Sequence, residues 1–188
     1  MRIGLFGGTF NPIHRGHLLL AEGAIRTLNL DEVWWIPAHL PPHKEVEGKI
    51  SAQGRARMVE LAIQGNPKFC LCRVELERPP PSYTIETVRM LQKQQPNAEW
   101  FFLIGSDTAQ ELPTWREIQE LMQRVQFISI PRLGQQGQAL PQGVREIPVQ
   151  TLDLSSSQVR EKIRRGESVS EILPPPVLDY IRQRGLYR

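Results

Sequence analysis

Gly4-Leu-Phe-Gly-Gly-Thr-Phe-Asn-Pro-Ile-His-Arg-Gly-His17 is a glycine-rich turn set between a short apolar run, Ile3 to Phe6, and a segment, His17 to Leu28, that carries Leu18, Ala21 and Ile25 at helical spacing. Strand, glycine turn and helix in that order build a phosphate seat. Glycine lets the backbone approach an anion closely, while the free amides and positive dipole of the following helix face it. The spacing is not Gly-x-Gly-x-x-Gly, and no Gly-x4-Gly-Lys-Ser/Thr occurs in the chain. Both facts argue against a dinucleotide dehydrogenase and a P-loop ATPase.

The alternation that begins here continues outward. Val33 to Ile36, Phe69 to Leu76, Trp100 to Ile104 and Phe127 to Ile130 are apolar runs of strand length, each ending near Gly or Pro. Between them, Gln53 to Gln64 (Met58, Leu61, Ala62) and Thr84 to Gln94 (Ile85, Val88, Leu91) read as helices. Alternating strands and helices predict an α/β fold, a doubly wound parallel sheet with helices on both faces and ligands at the carboxyl ends of the strands. Ala38 to Lys49 and Leu133 to Gly143 read as loops, being rich in Pro, Gly and Gln. After them a helical segment carries Val159 and Ile163, breaks at Pro174-Pro-Pro176 and resumes with Val177, Leu178 and Ile181. We expect one domain over 1–188, a Rossmann-like core over 1–150 completed by a helical segment over 151–188.

Composition bounds the function. The 188 residues are 40% hydrophobic, with 23 Lys and Arg against 20 Asp and Glu and a net charge of +3. There is no long basic run, so nucleic acid is not indicated. No apolar stretch approaches the roughly 18 residues of a membrane span, and the first residues lack a signal peptide's apolar core, so a soluble, cytoplasmic protein is expected. Cys70 and Cys72 are spaced for neither a disulfide nor a zinc knuckle and read as small core residues in a reducing compartment.

His14 and His17 sit three apart at the mouth of the first helix, share a face, and can both donate to one polyphosphate. The same pair is compatible with a purely structural cap, or with a zinc site completed by His39 or His43. The zinc reading lacks the Glu of His-Glu-x-x-His. Ser155, Ser156 and Ser157 precede a helix, so one of them is a natural N-cap; with Arg160 one turn in, they also offer donors and a permanent cation to phosphate. Arg164 and Arg165 read as solvated face. Asp107 follows the Trp100 to Ile104 strand and is either a helix cap or a ribose partner. Trp115 suits either core or ring stacking, and at least one of Trp34 and Trp35 belongs to the core.

Gly7-Gly-Thr-Phe-Asn-Pro-Ile-His-Arg-Gly-His17 resembles the signature of the nucleotidyltransferase superfamily with the (T/H)xGH motif. Further segments narrow the resemblance to the bacterial nicotinate-nucleotide adenylyltransferases over nearly the whole chain. They are Pro37-Ala-His-Leu-Pro-Pro-His-Lys44, Pro81-Ser-Tyr-Thr-Ile-Glu-Thr87, Leu103-Ile-Gly-Ser-Asp107 with Trp115, Leu154-Ser-Ser-Ser-Gln-Val-Arg160, and the stretch from Leu173 to Tyr187. Asn11 and Ser157 stand where relatives commonly have Asp and Thr, departures that keep size and polarity.

The resemblance implies transfer of the adenylyl group of ATP to nicotinate mononucleotide. It implies an ATP site at Gly7, Gly8, Thr9, Phe10, His14, His17, Gly105, Asp107, Ser156, Ser157 and Arg160, with His14, His17 and Arg160 serving catalysis. Lys44, Tyr83, Thr84 and Trp115 are implied on the acceptor, Trp115 by stacking on the pyridine ring. Nicotinamide mononucleotide and phosphopantetheine are the alternative acceptors, and a non-catalytic nucleotide-binding regulator is the rival of another class. Magnesium is expected to arrive on the ATP phosphates, because no carboxylate cluster would hold it independently; no protein-bound metal and no tightly bound organic cofactor is expected. The sequence leaves a homo-oligomer open.

Overall fold

Alternation within the apolar runs sorts their side chains onto two faces of one sheet. The structure, a computed structural model, describes residues 1–39, 50–131, 139–149 and 152–188. Strands β1 (Arg2–Gly8), β2 (Glu32–Pro37), β3 (Phe69–Leu71), β4 (Glu99–Gly105), β5 (Gln126–Ile130) and β6 (Val144–Glu146) pair in parallel in the order β3-β2-β1-β4-β5-β6. Ile3 and Leu5 of β1, Ile36 of β2, Phe102 and Ile104 of β4 and Phe127 of β5 enter one core. Phe6, Val33, Trp35, Phe101, Leu103 and Ile128, their alternates, enter the other.

Each core is closed by its own helices. Helices α1 (Arg15–Leu28), α2 (Ala52–Ile63), α6 (Ser156–Arg164) and α7 (Pro175–Arg184) cover the Trp35 face. Helices α3 (Thr84–Gln94), α4 (Ser106–Glu111) and α5 (Ile118–Arg124) cover the Phe102 face. The chain thus leaves β1 toward one face and β4 toward the other. Those adjacent strands form the switch point where a doubly wound sheet opens a crevice beyond its carboxyl edge.

The expected strand over Phe69 to Leu76 is shorter in the structure. The Cys72 amide still donates to Trp35 O at 2.8 Å, but Arg73 O then accepts from Leu76 N at 2.9 Å and Glu77 N at 3.2 Å, which curls the chain into a turn. Val74 and Leu76 stay buried off the sheet, so their apolar character marks burial and not strand pairing. Cys70 and Cys72 are free and half-buried rather than fully enclosed, and burial raises both thiols above their usual range. Trp35 is the core tryptophan; Trp34 is half-buried and donates its indole N–H to Glu32 at 2.7 Å. Gly105, not Asp107, is the N-cap of α4, and Asp107 stands exposed in that helix's first turn. Edge strand β6, with the sequence Val-Arg-Glu, carries no apolar run that could have announced it. Of the two expected loops, residues 40–49 and 132–138 lie outside the described residues, and so do His43 and Lys44.

Candidate active site

A cleft of about 1180 Å³ opens at the carboxyl ends of β1 and β4. Gly7, Gly8, Thr9, Phe10, His14, His17, Gly105, Asp107, Ser156, Ser157, Arg160, Tyr83, Thr84 and Trp115 all line it, which brings together every site residue expected from the sequence except Lys44.

On one side the glycine turn delivers the histidines. His14 is the N-cap of α1, and His17 is the third residue of the helix. The His14 amide donates to His17 Nδ1 at 3.2 Å, and the two rings stack at 3.7 Å between centroids. Because Nδ1 accepts, the proton of the neutral His17 ring resides on Nε2. The Phe10 ring meets His17 edge-on at 5.3 Å and limits its rotation. Gly16 suits this packing: a Cβ there would stand 3.0 Å from His14 Nδ1, so the ring would have to give by a few tenths of an ångström.

A second helix start faces the same cleft. Ser155 caps α6 reciprocally with Gln158: Gln158 N donates to Ser155 Oγ at 3.2 Å and Ser155 N to Gln158 Oε1 at 2.7 Å. The cap is therefore Ser155, which frees Ser156 and Ser157 for other work. Ser156 Oγ donates to Pro12 O at 2.9 Å. Arg160, 8% exposed, donates to Asn11 O at 2.8 Å and Ser157 Oγ at 3.2 Å. Two helix N-termini and a guanidinium thus converge where an anion would find positive potential. Arg164 and Arg165 both reach Glu161 at 2.8 Å in exposed ion pairs, in keeping with a solvated face. The His39 ring bonds the Arg78 carbonyl at 2.9 Å, and among the described residues no three His, Cys, Asp or Glu side chains converge on a metal position.

The opposite wall is aromatic. Tyr83 caps α3, and Thr84 begins it. The Arg116 guanidinium lies 4.6 Å over the Tyr83 ring. Trp115, half-buried, stands edge-on to Phe102 at 5.9 Å and to Phe127 at 6.1 Å, a packing that fixes its plane. Behind this wall Thr87 Oγ1 accepts from Arg78 at 2.6 Å and donates to the buried Glu75 carboxylate at 2.8 Å. Burial is the main reason that the Glu75 carboxyl is lifted above the ordinary range.

Four residues of the cleft's surroundings escaped the sequence reading: Arg55, Glu75, Arg116 and the contact made by Tyr187. Arg55 is 1% exposed and donates to Thr9 O, Ala38 O and His39 O at 2.7, 2.8 and 2.9 Å. Its signal was available, since Arg55 shares the buried stripe of Met58 and Val59 on α2, where a cation needs a reason to be. Arg116 and Glu75 carried no such signal.

Residues 5–162 match the model of the cytidylyltransferase-like family. A probable nicotinate-nucleotide adenylyltransferase of Synechococcus sp. (strain JA-3-3Ab) is 43% identical over 99% of this chain and 94% of its own length. One of the same description from Shouchella clausii is 44% identical, over 99% and 96%. Among solved structures, a Plasmodium falciparum nicotinic acid mononucleotide adenylyltransferase complexed with NaAD superposes with a TM-score of 0.82 at 23% identity, covering 99% of this chain and 97% of that one, a likeness of fold. With its cleft built on the β1 and β4 tips and relatives that match it nearly end to end, the chain belongs to the nicotinate-nucleotide adenylyltransferase family.

Proposed function

We infer that this chain transfers the adenylyl group of ATP to nicotinate mononucleotide, giving nicotinate adenine dinucleotide and pyrophosphate. The observation that carries the reading is the division of one cleft into two walls. The N-termini of α1 and α6 with His14, His17 and Arg160 form a cationic side, and Tyr83, Thr84 and Trp115 form an aromatic and hydroxyl side. A triphosphate suits the first and a pyridine nucleotide the second.

In this reaction an oxygen of the acceptor's phosphate attacks the α-phosphorus of ATP as the bond from that phosphorus to the bridging oxygen breaks and pyrophosphate leaves. A phosphate monoester with a second pKa of about 6 is already largely dianionic at neutral pH, so no general base is needed. The protein's task is to align two anions and to neutralise the charge that gathers on the leaving group. His17 offers Nε2–H, His14 its imidazole beside it, and Arg160 a permanent charge; Ser156 and Ser157 stand at the same helix start. Asp107 and Gly105, at the tip of β4, are assigned to the ATP ribose, and Lys44 to a phosphate. Tyr83 and Thr84 hold the nicotinate end, and Trp115 stacks on its ring. Magnesium enters with ATP as part of the substrate.

Pyrophosphate release from ATP, compared across nicotinate mononucleotide, nicotinamide mononucleotide and phosphopantetheine, tests the assignment. The highest kcat/KM is expected with nicotinate mononucleotide. A higher value with either other acceptor reassigns the substrate, and no release with any of the three leaves a nucleotide-binding protein without this activity.

A further inference from the structure

The turn between β1 and α1 does not hold its shape by local preference. Phe10 sits at φ 49°, a left-handed backbone that a bulky residue seldom adopts unless its surroundings impose it. Its ring packs among Phe6, His17 and Trp35, and four donors hold the turn around it. Arg55 donates to Thr9 O at 2.7 Å, Arg160 to Asn11 O at 2.8 Å, Ser156 to Pro12 O at 2.9 Å, and the Tyr187 hydroxyl to the side-chain oxygen of Asn11 at 2.6 Å. A carbonyl engaged by such a donor no longer turns unscreened lone pairs on an approaching polyphosphate.

Arg55 and Tyr187 are the members of this set that the proposed chemistry does not use, and Tyr187 is the one that grips a side chain of the turn and not its backbone. It lies in the turn after α7, is 8% exposed, and itself stands at φ 64°, so a second left-handed residue accompanies the contact. Asn11 is 5% exposed, so the bond is made out of water's reach. Burial pushes the phenol well above its ordinary range, which keeps the hydroxyl protonated and donating.

We infer that Tyr187 is a positioning residue for the triphosphate seat: by gripping Asn11 from behind, its hydroxyl sets the turn that presents His14 and His17 to ATP. This rests on ATP being the ligand of that seat, and not on the identity of the acceptor. Tyr187 is not among the residues that line the cleft, and the Tyr83 and Trp115 wall stands on other elements, so the loss of Tyr187 is felt on the nucleotide side alone.

Tyr187→Phe removes one hydroxyl and leaves the ring. Calorimetric titration with a non-hydrolysable ATP analogue is expected to show affinity weakened about tenfold, the effect of losing one buried, well-aligned hydrogen bond. The KM for nicotinate mononucleotide is expected to stay within about twofold. Asn11→Leu removes the acceptor of the same bond, and the double substitution should cost no more than Asn11→Leu alone, because the hydroxyl then has no acceptor left to lose. Unchanged analogue binding in Tyr187→Phe, equal losses for both substrates, or additive losses in the double variant would each overturn the inference. Should Tyr187→Phe fail to fold, unchanged analogue binding by Asn11→Leu overturns the inference. Wild-type protein that binds the analogue but releases no pyrophosphate defeats the acceptor assignment and leaves the Tyr187 test standing; wild-type protein that binds no analogue defeats both.

Discussion

His17 accepts the backbone amide proton of His14 on Nδ1, 3.2 Å away, while the two rings stack at 3.7 Å. One hydrogen bond therefore fixes both the orientation of the ring and the nitrogen that carries its proton. His17→Ala should lower kcat by about 10² or more, as loss of a preorganised donor to a developing anion does. Steady-state pyrophosphate release at saturating ATP measures it, and an unchanged rate would remove His17 from the mechanism.

Trp115 stands on the wall opposite the histidines, its plane set by Phe102 and Phe127. Trp115→Ala should raise the KM for nicotinate mononucleotide about tenfold or more, the scale of one lost ring-stacking contact, and leave ATP affinity nearly intact. Comparable losses for both ligands would show that the indole serves the core and not the acceptor.

The sheet was legible because a strand covered on both faces must be apolar throughout, and five of the six strands announce themselves that way. The pattern records burial, however, and not hydrogen bonding. Val74 and Leu76 are as apolar as strand residues, yet they are buried off the sheet's edge, so β3 reads too long. The histidine pair was legible because its geometry is local, three residues along one helix. Tyr187 and Asn11, 176 positions apart, have no periodicity that could link them. Arg55 shows the intermediate case: its place on a buried stripe marks it as unusual, but only the fold reveals that it serves three carbonyls of two different loops.

Gly23, in the middle of α1, faces Val149, and a Cβ built there would lie 3.1 Å from the Cβ of Val149 and nearer still to a methyl. Helix propensity alone would make Gly23→Ala stabilising by about 1 kcal/mol. Overpacking a closed interface costs about 1–3 kcal/mol, so the clash should win and the variant should be the less stable protein. Urea unfolding would show it as a lower midpoint at unchanged slope; a gain in stability would mean that the segment holding Val149 yields freely.

Burial lifts the Glu75 carboxyl above the usual 4.5, against the opposing pull of the Thr87 hydroxyl and the Arg78 charge. The folded chain holds that proton more tightly than the unfolded one. Stability from this group is therefore fully present below the unfolded value and is lost as pH rises from about 4.5 through the folded value. Glu75→Gln keeps an oxygen for Thr87 and cannot ionise. Measured by urea unfolding at about pH 4.5 and about pH 8, the variant should gain on the wild type as pH rises, and a difference that shrinks or stays level would contradict the assignment.

Three of the four donors that hold the glycine turn come from α6 or from the turn after α7, between 144 and 176 positions along the chain from the groups they bind. A nascent polypeptide translated only as far as β6 would already contain both histidines and Arg55, yet it would lack the other three donors that hold the turn presenting them. Competence for nucleotide thus comes late in synthesis, and fragments left by interrupted translation would not compete with the mature enzyme for the cell's ATP.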